Sequence, residues 1–157
     1  MRRDEREAAG LTDVLAILDK CEVLRLGLCA ADRPYIVPMN FAYEAVNEEL
    51  FIYLHTASSG KKLDMIAENN NVCFEADCSY KTVEAGAACD WSAEYESVIG
   101  EGVIKILKGE EQKIKALDAL MKKHGFAGKP GYKPAALKAV TILQIHVKSI
   151  TGKRNQH

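Results

Sequence analysis

The chain has 157 residues, a formal net charge of −1, and 48% hydrophobic and 27% charged residues, which is the profile of one globular domain over 1–157. So balanced a charge leaves no electrostatic footprint for nucleic acid or an anionic membrane. The start, MRRDEREAAG, alternates charge signs and does not read as a secretory signal, and no apolar run is long enough for a transmembrane helix.

In LTDVLAILDK (11–20), Leu11, Val14, Leu15 and Leu18 share one helical stripe, which predicts a short amphipathic helix. CEVLRLGLCA (21–30) is a predicted strand that turns at ADRP. PYIVPMNFAYEA (34–45) is a second strand, and ELFIYLH (49–55) a third across the VNEE turn. KKLDMIAEN (61–69) spaces Leu63, Ile66 and Ala67 as a helix, and NVCFEADCS (71–79) is a fourth strand. ESVIGEGVIKIL (96–107) is a fifth, where Gly100 and Gly102 suggest a bulge or bend. GEEQKIKALDALMKKHG (109–125) is a helix, acidic at its start, basic at its end and followed by glycine. FAGKPGYKP is expected as a loop, and AVTILQIHVKSI (139–150) as the sixth strand.

The first three strands have hairpin-length connections, which a parallel sheet does not allow. A mainly β fold follows: a small antiparallel barrel with helical decoration. The five cysteines, Cys21, Cys29, Cys73, Cys78 and Cys89, contain no C-x-x-C and suit reduced thiols in the cytoplasm. A zinc site from Cys73, Cys78 and Cys89 is a weak alternative, because Cys73 and Cys78 are five apart, which on one strand puts them on opposite faces. Cys89 reads as a small buried hydrophobe. His124 follows a helix as a dipole partner, His146 shares a strand face with Gln144 and Lys148, and His157 is terminal.

The stretch YLHTASSGKKLDM (53–65) carries the most chemistry. Alternation puts Leu50, Ile52 and Leu54 on a core face, with Phe51, Tyr53 and His55 opposite. Thr56, Ser58 and Ser59 then offer hydroxyls, Gly60 permits a close approach, and the next helix presents unpaired amides beside Lys61 and Lys62. These groups suit a phosphate; they also suit a solvated turn with a serine cap. A P-loop is excluded, because His55 stands where its first glycine is needed and Lys62 where its Ser or Thr is needed. In PYIVPMNF, Pro38 cannot donate to a ladder and marks an edge or a distortion. Asn40 shares a face with Ile36 and Pro38, whereas Tyr35, Val37, Met39, Phe41 and Tyr43 occupy the other. An interrupted ladder there offers backbone groups and Asn40 to a flat heterocycle; an edge strand protected by proline uses the same residue.

PYIVPMNFAYE, LFIYLHTASSGKKLDMIAENNNVCFEAD, CDWSAEYESVIGEG and ITGKRN, in this order, resemble the 5-nitroimidazole-resistance (Nim-type) family of pyridoxamine 5′-phosphate oxidase-like flavoproteins. The similarity runs from MRRDER to TGKRN. It implies a six-stranded split β-barrel that forms a homodimer with FMN at the interface. Val37, Pro38, Met39, Asn40, His55, Thr56 and Ala57 would then line the isoalloxazine, with Ser59, Gly60, Lys61 and Lys62 at the phosphate. Ser97 and Val98 would approach from the fifth strand, from either protomer, and Trp91 would lie near the cleft. The resemblance also implies His55 as the catalytic residue, for proton delivery or substrate placement, because members of the family carry a histidine near the flavin at this place. The implied activity is FMN-dependent reduction of small flat substrates such as nitroaromatics. The alternatives are a flavin- or haem-binding carrier or sensor, and a pyridoxamine 5′-phosphate oxidase-like oxidase. Against the last, the tail GKRNQH supplies only Lys153 and Arg154 where those oxidases carry an arginine-rich segment.

Overall fold

A computed structural model describes residues 6–8 and 10–156. Most of the MRRDER stretch and His157 therefore lie outside the described residues. The elements run α1 (Leu11–Lys20), β1 (Val23–Ala30), β2 (Arg33–Val46), β3 (Glu49–Ala57), α2 (Lys61–Glu68), β4 (Asn71–Val83), β5 (Ser92–Leu107), α3 (Glu110–Lys123), α4 (Pro134–Ala139) and β6 (Val140–Asn155). All strand pairs are antiparallel, and the barrel closes in the order β1-β2-β3-β6-β5-β4. No helix among the described residues is long and apolar enough to cross a membrane.

Alternation builds the core. Leu24, Leu26 and Leu28 of β1, Met39 and Phe41 of β2, and Leu50, Ile52 and Leu54 of β3 all point into one buried cluster. Phe74, Val98, Leu143 and Ile145 complete it from the other strands. Each such side chain contributes roughly 1.5–3 kcal/mol by leaving water. Val14, Ile17 and Leu18 of α1 join the same cluster, and α1 leads straight into the start of β1. Helix α2 sits at the far end of that strand, where Asn69 Nδ2 donates to the Cys29 carbonyl. A second cluster lies outside the barrel, where Ala116 of α3 covers Tyr53, Leu107 and Ile142.

The bend expected at Gly100 and Gly102 is a register shift in the β5–β6 ladder between Glu101 and Gly102. A Cβ at Gly100 would collide with the Phe74 ring, and one at Gly102 with the His146 carbonyl. Four elements depart from the sequence reading. β4 and β5 extend as a two-stranded ribbon, pairing Lys81–Val83 with Ser92–Glu94 past a register shift after Cys78. β6 continues to Asn155, five residues beyond the expected end. Finally, α4 begins at the end of the expected loop, with Pro134 in its first turn, where proline's missing N–H costs nothing.

Candidate functional site

The site arises where β2 changes partner. From Arg33 to Asn40, β2 pairs with β1; from Phe41 to Val46 it pairs with β3. Continued backward, the β2–β3 register would set Asn40 against His55, Met39 against Thr56 and Pro38 against Ala57. Those pairs do not form. Instead, His55, Thr56 and Ala57 pair only with Ile142, Thr141 and Val140 of β6. The two strands fork, and a cleft of about 310 Å³ opens between them, lined by Pro38, Met39, Asn40, His55, Thr56, Ala57 and Lys62. In an unpaired strand edge, alternate residues turn their backbone N–H and C=O groups into the gap.

Side-chain directions follow the strand period. Met39 is buried and Val37 half-buried, both packed on the core, so Val37 lies behind the cleft wall. Pro38, Asn40 and His55 are exposed. Asn40 Nδ2 makes a long contact of 3.5 Å to the Glu22 carbonyl, which leaves its amide available at the cleft mouth.

The structure separates the two lysines. Lys62 Nζ donates to Thr56 Oγ1 at 2.8 Å and borders the cleft. Lys61 Nζ stands 4.3 Å above the Tyr35 ring instead. Gly60 caps α2 with φ 132°, a conformation that favours glycine, and no side chain caps the helix. The first amides bonded back to the Gly60 carbonyl are those of Leu63 and Asp64, so the first turn faces outward beside exposed Ser59.

Three expected site residues lie elsewhere in the chain. Val98 is fully buried in the core, and Ser97 pairs with Asp77 and Lys153. Trp91 is about half exposed, its Nε1 donating to the Ala85 carbonyl at 2.8 Å after a 3₁₀ turn over Ala88–Asp90. Within one chain, none of the three borders the cleft. Cys89 is exposed, contrary to expectation. His146 stacks on Phe51 with ring centroids 5.0 Å apart, and its Nε2 lies 3.1 Å from Glu49 Oε1. Among the described residues, no group of three or more His, Cys, Asp or Glu is gathered that could hold a metal ion.

Two features were not anticipated. A larger cavity of about 510 Å³ lies between α3 and β2–β3, and most of its polar groups already have partners. Tyr53 Oη and Lys115 both donate to Glu44, Tyr43 Oη donates to Asp19, and Lys123 Nζ donates to the Leu18 carbonyl at 2.7 Å. Burial, helped by the hydrogen bond to Asp19, pushes the Tyr43 phenol well above its ordinary range. The second feature is Glu96, only 1% exposed on β5, which accepts from Lys20 Nζ at 2.6 Å and Arg154 Nε at 2.5 Å. Its signal was the strand period, which puts Glu96 on the inward face with Val98. Burial alone would raise its carboxyl, but the two cations outweigh that and hold it below the usual carboxylate range.

Residues 11–154 match the family model described as pyridoxamine 5′-phosphate oxidase. No curated protein matches the chain. Among solved structures, the chain is similar to a Bacteroides thetaiotaomicron protein described provisionally as a 5-nitroimidazole antibiotic resistance protein. That likeness has a TM-score of 0.82 and 28% identity, covering 94% of this chain and 86% of the other. It is also similar to a flavocytochrome of Azotobacter vinelandii, with a TM-score of 0.84 and 18% identity over 100% of this chain and 72% of that one. The FAD and haem binding protein of Mycobacterium smegmatis gives a TM-score of 0.82 and 18% identity over 97% and 74% of the two chains. At 18% identity, the last two show the fold alone.

Proposed function

From the premise that the chain belongs to the pyridoxamine 5′-phosphate oxidase family, we propose that it is an FMN-binding reductase of small flat substrates, with nitroaromatics the leading class. The observation that carries this reading is the β2–β3 fork. It sets two unpaired strand edges, Asn40 and His55 beside an uncapped helix start and Lys62. The donor set fits a flavin mononucleotide: amide and backbone groups for the rim of a planar heterocycle, and an ammonium with free helix amides for a phosphate. A bound flavin would supply the electrons. The chain's own task is to hold the ring between Pro38–Asn40 and His55–Ala57, to bind the phosphate at Lys62, and to bring a proton on an imidazole nitrogen of His55.

A homodimer is part of this reading. The cleft is open at its outer side, and Pro38 continues around the outer barrel face through Arg25 and Glu75 to Ile99. On that face Ile36 is 68% exposed and Ile99 58% exposed, which suits cover by a second copy. Ser97, and the backbone at Val98, would reach the flavin in that arrangement. Reduced thiols and a cytoplasmic location belong to the same reading.

The first test is the absorbance spectrum of the purified protein, with the released chromophore identified by chromatography. FMN is expected. Released FAD would leave the flavin and correct the nucleotide; a haem band without flavin, or a colourless protein that binds no FMN by calorimetry, would overturn the reading. A second reading, a carrier or sensor of flavin or haem, draws on the cofactors named for the A. vinelandii and M. smegmatis relatives. It predicts a yellow protein whose reductive bleaching is not reversed by nitro compounds. For His55, the variant His55→Ala is expected to keep FMN and lose nitro-reduction by about 100-fold or more. An unchanged rate with FMN retained removes His55 from the chemistry.

A further inference from the structure

The strongest unassigned feature is the cavity of about 510 Å³ between α3 and β2–β3. Its lining shares no residue with the β2–β3 cleft. Small-ligand pockets run from about 300 to 1,000 Å³, and this one falls inside that range. Two small side chains make the room. Ala42 on β2 is 2% exposed, and Ala119 on α3 packs against the cluster that holds Tyr53. A larger residue at either place would fill the gap between helix and sheet. With alanine at both, a pocket remains, bordered by Tyr43 and Tyr53.

Apart from Ala119, the α3 residues on this pocket are lysines. Lys115, Ala119, Lys122 and Lys123 fall at i, i+4, i+7 and i+8, on one side of the helix beside its buried Ala116 and Leu120. The hydrogen-bonding capacity left over is weighted to donors. Glu44 accepts from Lys115 through Oε1 at 2.7 Å and from Tyr53 through Oε2 at 2.9 Å, while Asp19 Oδ1 accepts from Tyr43 at 2.6 Å. Both carboxylates are thereby engaged. An ammonium has three donors. Lys115 spends one on Glu44, and Lys123 spends two on the Leu18 and Asp19 carbonyls, at 2.7 and 3.3 Å. Lys122 has no side-chain partner among the described residues. Three lysines against two carboxylates leave one positive charge in excess. Burial lowers the Lys123 ammonium below its ordinary value, an effect that an anion beside it would offset.

We propose that this pocket is a second small-molecule site, and that it takes a flat aromatic carboxylate. The ring lies against Ala42 and Ala119 beside the two tyrosines, and the carboxylate takes the spare donors of Lys122 and Lys115. A thin space between a helix and a sheet suits a flat body, and a single negative charge matches the excess. A cationic ligand would meet ammonium groups, with both carboxylates already taken. A neutral ring would gain the apolar contact alone. The site does not depend on whether the cleft holds a flavin.

The test is titration of the full chain with benzoate, read by calorimetry and by saturation-transfer NMR. Benzoate is expected to bind about fivefold or more tightly than benzyl alcohol, and benzylamine not at all. Lys122→Glu, a change on the exposed surface of α3, should weaken benzoate about tenfold. Ala119→Leu should abolish binding by filling the pocket. Circular dichroism checks the fold of both variants, and the surface variant decides the matter if the cavity-filling one does not fold. Saturation with FMN should leave benzoate affinity unchanged. The proposal is overturned if benzoate does not bind, if Lys122→Glu binds it equally well, or if FMN displaces it. Inorganic phosphate that binds as tightly as benzoate and competes with it would also overturn the proposal, since the ring would then contribute nothing.

Discussion

Replacing Lys62 with alanine is expected to weaken FMN binding by about 10- to 100-fold while changing riboflavin affinity by less than about threefold. The hydrogen bond between Lys62 Nζ and Thr56 Oγ1 holds the ammonium at the cleft edge. An ammonium has three donors, so two remain for a phosphate dianion. A hydrogen bond to a charged group contributes about 1.5–3 kcal/mol, which sets the range above. Riboflavin lacks the phosphate and should not register the loss. Lys61→Ala should cost less, because that ammonium rests over Tyr35 and does not border the cleft. Titration calorimetry with both ligands decides the matter: equal losses for FMN and riboflavin would refute phosphate anchoring at Lys62. A larger loss for Lys61→Ala would mean that its stem swings off the ring when ligand binds.

The second large effect is on stability. Glu96→Ala is expected to lower the unfolding free energy by about 3 kcal/mol in chemical denaturation, and Glu96→Gln by about 1–2 kcal/mol. Removing the carboxylate leaves Arg154, 31% exposed, without its closest anion, and Lys20, 48% exposed, partly rescued by water. That exposure puts the estimate at the low end for a buried ion cluster. The pH dependence has a definite sign. The folded carboxyl is held below its ordinary value, so its contribution is fully present above the unfolded value of about 4.3 and is lost as pH falls through the folded one. Glu44, lowered first of all by its hydrogen bond from Lys115, acts in the same direction. In Glu96→Gln the acid decline should therefore flatten in part. An unchanged decline between about pH 4.3 and pH 2 would show that Glu96 is not the titrating group.

What the sequence conveyed depended on periodicity. The alternation of β3 assigned Leu50, Ile52 and Leu54 to the core, as found, and that of β2 separated the Pro38 and Asn40 face from the Met39 and Phe41 face, which proves to be the buried one; Tyr53, read opposite the core with His55, is buried by α3. Pro38 marked an edge or a distortion, and it lies on the stretch of β2 that pairs with β1 and leaves its other edge open at the fork. The β4–β5 ribbon was illegible because it extends past the core: Ser79–Thr82 are exposed and carry no apolar alternation. The end of β6 was hidden for a related reason. Gly152 has no side chain to pattern, yet a Cβ there would meet Ala8 at 2.8 Å and Val14 at 3.2 Å. The cover of Tyr53 by α3 is a contact between distant segments. No local pattern encodes which face seeks which.

The divided β2 also bears on how a ligand arrives. Both cleft walls are continuous strands, one bonded to β1 and the other to β6, so neither can swing without breaking a ladder. The slot is therefore preorganised. The ordering entropy of association falls on the incoming molecule and any covering protomer, and little of it on the barrel. Affinity differences among flat ligands should then appear in how long they stay, with arrival rates nearly constant, as expected of a rigid receptor.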